Sequence, residues 1–288
     1  MYGSRLWPKQ NIKPKFEYHP QLNGTNRLSN GLIALWLINE SAGPLNSIVK
    51  KSGALYKATT SGTPVPTFVD GIFGNNVQIA TSSVTTQPSF ISTLVPHQPP
   101  PVTLAAVCYP TEVITNNHWL LNYQTGTTND GFRFGARTNW DFTFGGVADY
   151  LFSTLTITVN QWYTFVVTVS GNGGTAIAYL YNWNTKTYQT QSITVGTMAG
   201  TALNKLTIGA DGTNNGNWVG VINNVALWNR ALSAAEVKDF IFFPYGTSTD
   251  PLLIVSPRRT YSIPQSGVEA WVPIISQPAP PKYVILSF

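Results

Sequence analysis

Between residues 102 and 210 the chain is a succession of short apolar runs punctuated by turn chemistry, with almost no helical period. The candidate strands are "VTLAAVCYP", "HWLLNYQ", "GFRFGAR", "WDFTFGGV", "LFSTLTITV", "QWYTFVVTVS", "TAIAYLYNW", "KTYQTQSITV" and "NKLTIGA". The pieces between them, such as "TGTTNDG", "SGNGG" and "ADGTNNGN", are rich in Gly, Asn, Asp and Thr, which make tight turns. In "QWYTFVVTV" the residues Tyr163, Phe165, Val167 and Val169 share one face and Thr164, Val166 and Thr168 the other, the mark of a half-buried strand. "AYLYNWNTKTYQTQ" reads as a hairpin with its tip at Asn182 to Lys186. About a dozen strands at this spacing require an all-β fold of two stacked antiparallel sheets.

The flanks add one helix and two irregular ends. "GLIALWLINE", Gly31 to Glu40, is suited to a strand buried on both faces, and loop signals dominate from Ser41 to Pro66. "NNVQIA" ends in a strand, and "HQPPP" stops the next element, because proline has no ladder donor. Ser233 with Glu236 forms a capping box, Leu232 and Val237 a hydrophobic staple, and Val237, Phe240 and Ile241 an apolar stripe that Pro244 ends. Such a helix packs against a sheet. The expected organisation is a basic extended arm over 1–30, a body over 31–243 and a proline-containing tail over 244–288. Apolar triplets in the tail, as in "WVPII" and "VILSF", are expected to pack on the body or on another subunit.

Composition narrows the function classes. Charged residues are 10% of the 288, against roughly 25% in ordinary soluble chains. No apolar run approaches the roughly 18 residues of a membrane span. Much of the basic excess sits in the arm, at Arg5, Lys9, Lys13, Lys15 and Arg27. Scattered between prolines, these charges suit docking to a partner subunit, and nucleic acid is not expected. Arg258 and Arg259 are the tail's counterparts and complete the candidate assembly residues with Arg5, Lys9, Lys13 and Lys15. Cys108, the single cysteine, lies in an apolar strand and excludes an intrachain disulfide. The N-terminus lacks a secretory pattern. Assembly into a particle released by lysis fits that, giving an expected location in a virion made in a host cytoplasm.

The order "GLIALWLINESAG", "VDGIFGNNVQI", "VTLAAVCYPTE", "NQWYTFVVTVSG", "AYLYNWNT", "KLTIGAD" and "WVGVINNVALWNRALSAAEV" resembles a laminin G-like, concanavalin A-like domain over roughly 31–243. The closing run carries Gly220, Ile222, Trp228, Arg230, Ala231, Leu232, Ser233 and Glu236 where the family has G-x-I-D-x-x-x-x-(Y/W)-x-R-A-L-(S/T)-x-x-E-I. The resemblance implies an antiparallel two-sheet jelly-roll sandwich with one short C-terminal helix. "HPQLNGTNRLSNGLIALW" and "SPRRTYSIP" further resemble bacteriophage virion-associated members. The family's acidic position is Asn223 here, followed by Asn224. Many such domains hold calcium with carboxylates and carbonyls. Hard cations need several anionic oxygens, and the twelve acids are thinly spread. Asp70, Asp141, Asp149 and Asp211 are the calcium candidates, Asp70 and Asp211 chief among them, and no other cofactor is expected.

Catalytic motifs are missing from the sequence. Retaining glycoside hydrolysis needs two carboxyls about 5 Å apart, which a strand supplies on alternate residues, and no such pair occurs. His19, His97 and His118 have no acid or cysteine at zinc-like spacing. An enzyme is therefore not expected. Sugar recognition uses aromatic faces with amides, and the candidate ligand-binding residues are Asn116, His118, Trp119, Trp140, Asp141, Asp211, Asn215, Asn217 and Trp218. The alternative is that these Asn residues make turns and the tryptophans cap the core. Two functions follow. One is a virion structural or decoration protein anchored by its arms to other virion proteins or to copies of itself, with glycans as added ligands. The other is a lectin-like adhesin or tail-associated receptor-binding protein for cell-surface glycans, with a glycan-cleaving enzyme behind both.

Overall fold

The computed structural model describes residues 21–51, 54–63, 65–71, 73–79, 86–92, 95, 99–112, 118–125, 128–144, 148–197, 206–210, 216–243 and 248–249. In chain order the strands are β1 (Gln21–Leu22), β2 (Leu32–Trp36), β3 (Leu45–Lys51), β4 (Ala54–Thr63), β5 (Thr67–Gly71) and β6 (Gly74–Ile79). They continue with β7 (Thr86–Ser92), β8 (Val102–Pro110), β9 (His118–Thr125), β10 (Thr128–Ala136), β11 (Trp140–Phe144) and β12 (Ala148–Phe152). The last are β13 (Tyr163–Val169), β14 (Thr175–Asn182), β15 (Thr187–Thr194), β16 (Leu206–Ile208), β17 (Gly220–Trp228) and β18 (Ser248–Thr249), with one α-helix, α1 (Ala234–Phe242), between the final two.

Every pairing between these strands is antiparallel. The main hydrogen-bonded path folds into two layers. The first sheet runs β15-β14-β13-β8-β17-β2, with the β5–β6 hairpin beside the start of β17. The second runs β12-β11-β10-β9-β16-β7-β4, and β3 bridges β2 to β4. Ring contacts show the layers facing each other: Phe134 of β10 stacks on Phe165 of β13 at 4.7 Å, and Trp140 of β11 lies 4.3 Å from the same ring. At the far side the layers almost meet again, where Gln191 Oε1 accepts from the Thr154 amide at 2.9 Å. Tyr150 Oη accepts there from the Gly196 amide at 2.7 Å.

Period two builds the inner core. Tyr163, Phe165, Val167 and Val169 point inward with Phe132, Phe134, Phe142 and Phe144, each side chain contributing about 1.5–3 kcal/mol when fully buried. The opposite face of β13 is buried as well, so the strand is not half-exposed as its alternation suggests. On that outer face of the first sheet, Val166, Ala105, Val107, Ala226 and Trp228 form a second cluster with Val237, Phe240 and Ile241 of α1. The Trp228 and Phe240 rings meet edge to face at 5.4 Å. The capping box on Ser233 and Glu236 is present as the sequence indicates. Pro244 lies outside the described residues.

Three stretches differ from the sequence reading. Residues 41–66 hold the whole of β3 and β4, whose Ser, Thr and Asn look like loop chemistry but pair across a hairpin. β7 likewise forms in spite of Pro88. "LFSTLTITV" contributes only Leu151 and Phe152 to a strand: the chain turns at once, with the Leu155 amide donating to the Phe152 carbonyl at 3.0 Å, and Leu155 is buried from that turn.

Residues 21–30, placed by sequence in the arm, pack on the body. β1 pairs with β18, Leu28 is buried, and the Trp228 indole donates to the Leu28 carbonyl at 2.6 Å. Arg27 pairs with Asp239 of the helix, and Arg230 Nε donates to the Asn30 carbonyl at 2.7 Å.

Candidate functional site

The outer face of the second sheet is chemically unlike every other buried layer of the molecule. Because Trp140, Phe142 and Phe144 point inward from β11, Asp141 and Thr143 must point outward. The register then sets a polar row across five strands: Thr207 opposite Asn122, Asn122 opposite Arg133, Arg133 opposite Thr143, and Thr143 opposite Asp149. A neighbouring row holds Trp119, Gly135, Asp141 and Leu151. β9 carries a bulge here, with its register shifting at Gly135, and a β-carbon on Gly135 would collide with the His118 carbonyl. That close approach is what requires glycine.

Asp141 is the unusual member. It is 0% exposed, and its carboxyl has the Phe142 backbone amide beside it. Burial pushes its pKa up to about 7, the Asp149 charge adds to the rise, and the Phe142 backbone amide, Arg137 and Arg133 offset part of it. Asp149 is the contrasting carboxylate: Thr143 Oγ1 donates to it at 2.6 Å and Arg137 at 3.0 Å. The Arg133 guanidinium lies 5.4 Å from the centre of the Trp119 ring, a cation–π contact. Trp119 Nε1 and Thr207 Oγ1 are buried without hydrogen-bond partners. His118, at the start of β9, is buried too, and burial lowers its pKa, partly offset by the Asn217 backbone and the Glu112 charge.

The structure sorts the sequence candidates into three groups. His118, Trp119 and Asp141 lie on β9 and β11 of the second sheet, and Asn217 is bridged to Trp119. Trp140 and Trp218 belong to the inner core, their rings stacked at 6.5 Å and both 0% exposed. Both indoles pack inside the inner core. Asn116, Asp211 and Asn215 lie outside the described residues, as do Arg5, Lys9, Lys13, Lys15, Arg258 and Arg259. Sequence reading passed over Asn122, Arg133, Thr143, Asp149 as an outer-face carboxylate, and Thr207. The signal was available in the alternation "FRFG" and "WDFTF", once the aromatic positions are assigned inward.

The metal candidates do not gather. Asp70 is exposed on β5, and no group of three His, Cys, Asp or Glu capable of holding an ion occurs among the described residues. Asn223 shows why an amide replaces the family's acid. It sits in a β17 bulge, fully buried, and its Nδ2 donates to Asn76 Oδ1 at 2.6 Å. Asn76 spends its own Nδ2 on the Val69 and Gly74 carbonyls. A carboxylate at 223 would set oxygen against oxygen in a dry site.

A family model described as the concanavalin A-like lectin/glucanases superfamily matches residues 74–238, more than half of the chain. The chain belongs to this superfamily. Solved structures are also similar to it. The binding domain of botulinum neurotoxin serotype D/C is 13% identical, with a TM-score of 0.50 over 74% of this chain and 52% of that one. Domain 4 of the arabinanase AbnA from Geobacillus stearothermophilus, solved with arabinotriose, is 14% identical with a TM-score of 0.48 over 73% of this chain and 98% of that one. A tailspike enzymatic domain of bacteriophage CBA120 is 15% identical with a TM-score of 0.46 over 65% of this chain and 30% of that one. The chain thus spans about half of the toxin binding domain it matches. No curated protein sequence matches it. In this chain α1 covers the outer face of the first sheet, and the polar face lies on the second.

Proposed function

We propose that the chain is a non-enzymatic display protein of a bacteriophage particle, whose concanavalin A-like body recognises cell-surface glycans. Its terminal segments attach it to other virion proteins or to copies of itself. The observation that carries glycan recognition is the polar outer face of the second sheet, where Trp119, Asn122, Arg133, Asp141 and Thr207 replace the apolar residues of the inner face. Aromatic, amide and hydroxyl groups on a rigid sheet are the mixture that binds sugars. The particle assignment rests on "HPQLNGTNRLSNGLIALW" and "SPRRTYSIP", which resemble virion-associated members.

One observation favours a second reading. Asp141 and Asp149 come from adjacent strands to the same face, one with its pKa raised by burial and the other hydrogen-bonded by Arg137 and Thr143, a pairing of unlike carboxyls that a glycosidase uses. Asp141 is sealed from solvent, however, and a general acid must touch the glycosidic oxygen. The test has two arms. Purified particles are analysed for the chain by mass spectrometry, and purified protein is incubated with any oligosaccharide it binds. Presence in the particle with intact oligosaccharide is the expected result. Absence from particles sinks the virion role, and released sugar sinks the non-enzymatic one.

A further inference from the structure

We propose that the end of α1 and the tip of the β14–β15 hairpin form a docking surface for an acidic, apolar segment of another protein. This surface lies on the first sheet, apart from the polar face, and does not rest on glycan recognition. The apolar stripe of α1, Val237, Phe240 and Ile241, is buried, but Phe242 and Phe243 are 38% and 43% exposed. Among the described residues they are the one adjacent pair of large apolar side chains left this open. Phe242 does not stand alone. Its ring meets Tyr181 of β14 edge to face at 5.2 Å, and Tyr181 meets Trp183 at 5.0 Å. Trp183, at the hairpin tip, is only half-buried. An aromatic surface therefore runs from the helix end to the tip. Single exposed apolar residues are ordinary, whereas a contiguous apolar patch marks an interaction site.

Charge selects the partner. Lys186 Nζ lies 5.5 Å from the centre of the Trp183 ring, and Lys238 Nζ lies 5.4 Å from that of Tyr188 on β15. Neither lysine pairs with a carboxylate among the described residues, because Arg27 holds Asp239 and Arg230 holds Glu236. Lys186 also takes a φ of 60°, which glycine or asparagine would adopt with less strain. A partner that covers Phe242 and Phe243 must supply carboxylates to these cations, since burying a charge unpaired is costly. In a symmetric pair of copies the same lysines would meet each other. The chain's outlying segments are basic too. Residues 1–20 carry Arg5, Lys9, Lys13 and Lys15 against Glu17, and 250–288 carry Arg258, Arg259 and Lys282 against Asp250 and Glu269. A lipid surface is disfavoured, because two lysines fall short of the roughly four to eight basic residues of a polybasic lipid site.

The test selects a random peptide display library on the full chain and measures the enriched peptides by fluorescence anisotropy. Enriched sequences are expected to combine Asp or Glu with aromatic or branched apolar residues. Phe242→Ser with Phe243→Ser should weaken them roughly tenfold or more. Lys186→Glu with Lys238→Glu should weaken them as well and favour peptides carrying Lys in place of Glu. That charge reversal keeps the outcome decisive even if the Phe242 change loosens α1. No enrichment, enrichment of basic or uncharged peptides, or binding that survives both double variants overturns the proposal. In parallel, the full chain is sedimented alone and floated with phosphatidylglycerol vesicles. Self-association or vesicle binding that the phenylalanine changes abolish would assign the surface to a second copy or to lipid, and would overturn the acidic partner.

Discussion

A single carboxyl gives the molecule its most unusual pH behaviour. Asp141 is raised in the folded state to about 7 from an ordinary value of 3.8. A raised acid holds its proton in the folded chain while the unfolded chain releases it. Its contribution is therefore favourable at low pH and is lost as pH climbs from about 4 to about 7. That loss is on the order of 4 kcal/mol when complete. Asp141→Asn should leave stability at pH 4 almost unchanged and raise it by a few kcal/mol at pH 8, measured by urea unfolding at both. An equal effect at the two pH values would contradict this. Trp140 and Trp218 behave oppositely. Alanine at either removes an aromatic core and should cost about 3–5 kcal/mol, read as a fall in urea midpoint. Loss of binding in those variants would then report an unstable fold rather than a missing contact. Residue types suggested Trp140, Trp218 and Asp141 together, but alternation on β11 separates them: neighbours in sequence face opposite sides of a strand.

At the scale of elements, α1 and the chain leading into β2 are stitched together by one side chain. Arg230 donates to both Glu236 oxygens at 2.7 and 3.0 Å and to the Arg27 and Asn30 carbonyls at 3.1 and 2.7 Å. Arg230→Ala should cost about 2–3 kcal/mol, since charge-assisted bonds are the stronger ones, and circular dichroism should show earlier thermal loss of the fold. Arg230 pulls Glu236 down to about 2 from 4.5. Its stabilising effect is present above about 4.5 and is lost as pH falls toward 2. Of these two groups, then, Glu236 loses its contribution below about pH 4.5 and Asp141 loses its own above about pH 4. The helix was legible in sequence because a capping box, staple and stripe are local signals. β3, β4 and β7 were not, because their Ser, Thr and Pro are turn formers until a partner strand supplies the ladder. The polar row was illegible for the same reason: Thr207, Asn122, Arg133, Thr143 and Asp149 are far apart in sequence and meet only through register.

For the molecule as a whole, the two outer sheet faces divide the work. One carries α1 and the buried cluster around Trp228. The other carries the polar row. Residues 21–30 lock onto the helix side through Leu28 and Arg27, so an arm boundary at residue 30 cuts into packed structure. Removing residues 1–30 should therefore lower the unfolding temperature more than removing 1–20, and equal effects would show that the Leu28 contacts contribute nothing. The central claim is that this superfamily member binds sugar on the polar face. It is tested most directly by nitrogen–proton NMR of the indole groups during titration with an oligosaccharide selected on a glycan array. The account predicts that the Trp119 indole resonance shifts progressively while those of Trp140 and Trp218 stay fixed. A titration in which Trp119 does not move, and another surface responds instead, would contradict it.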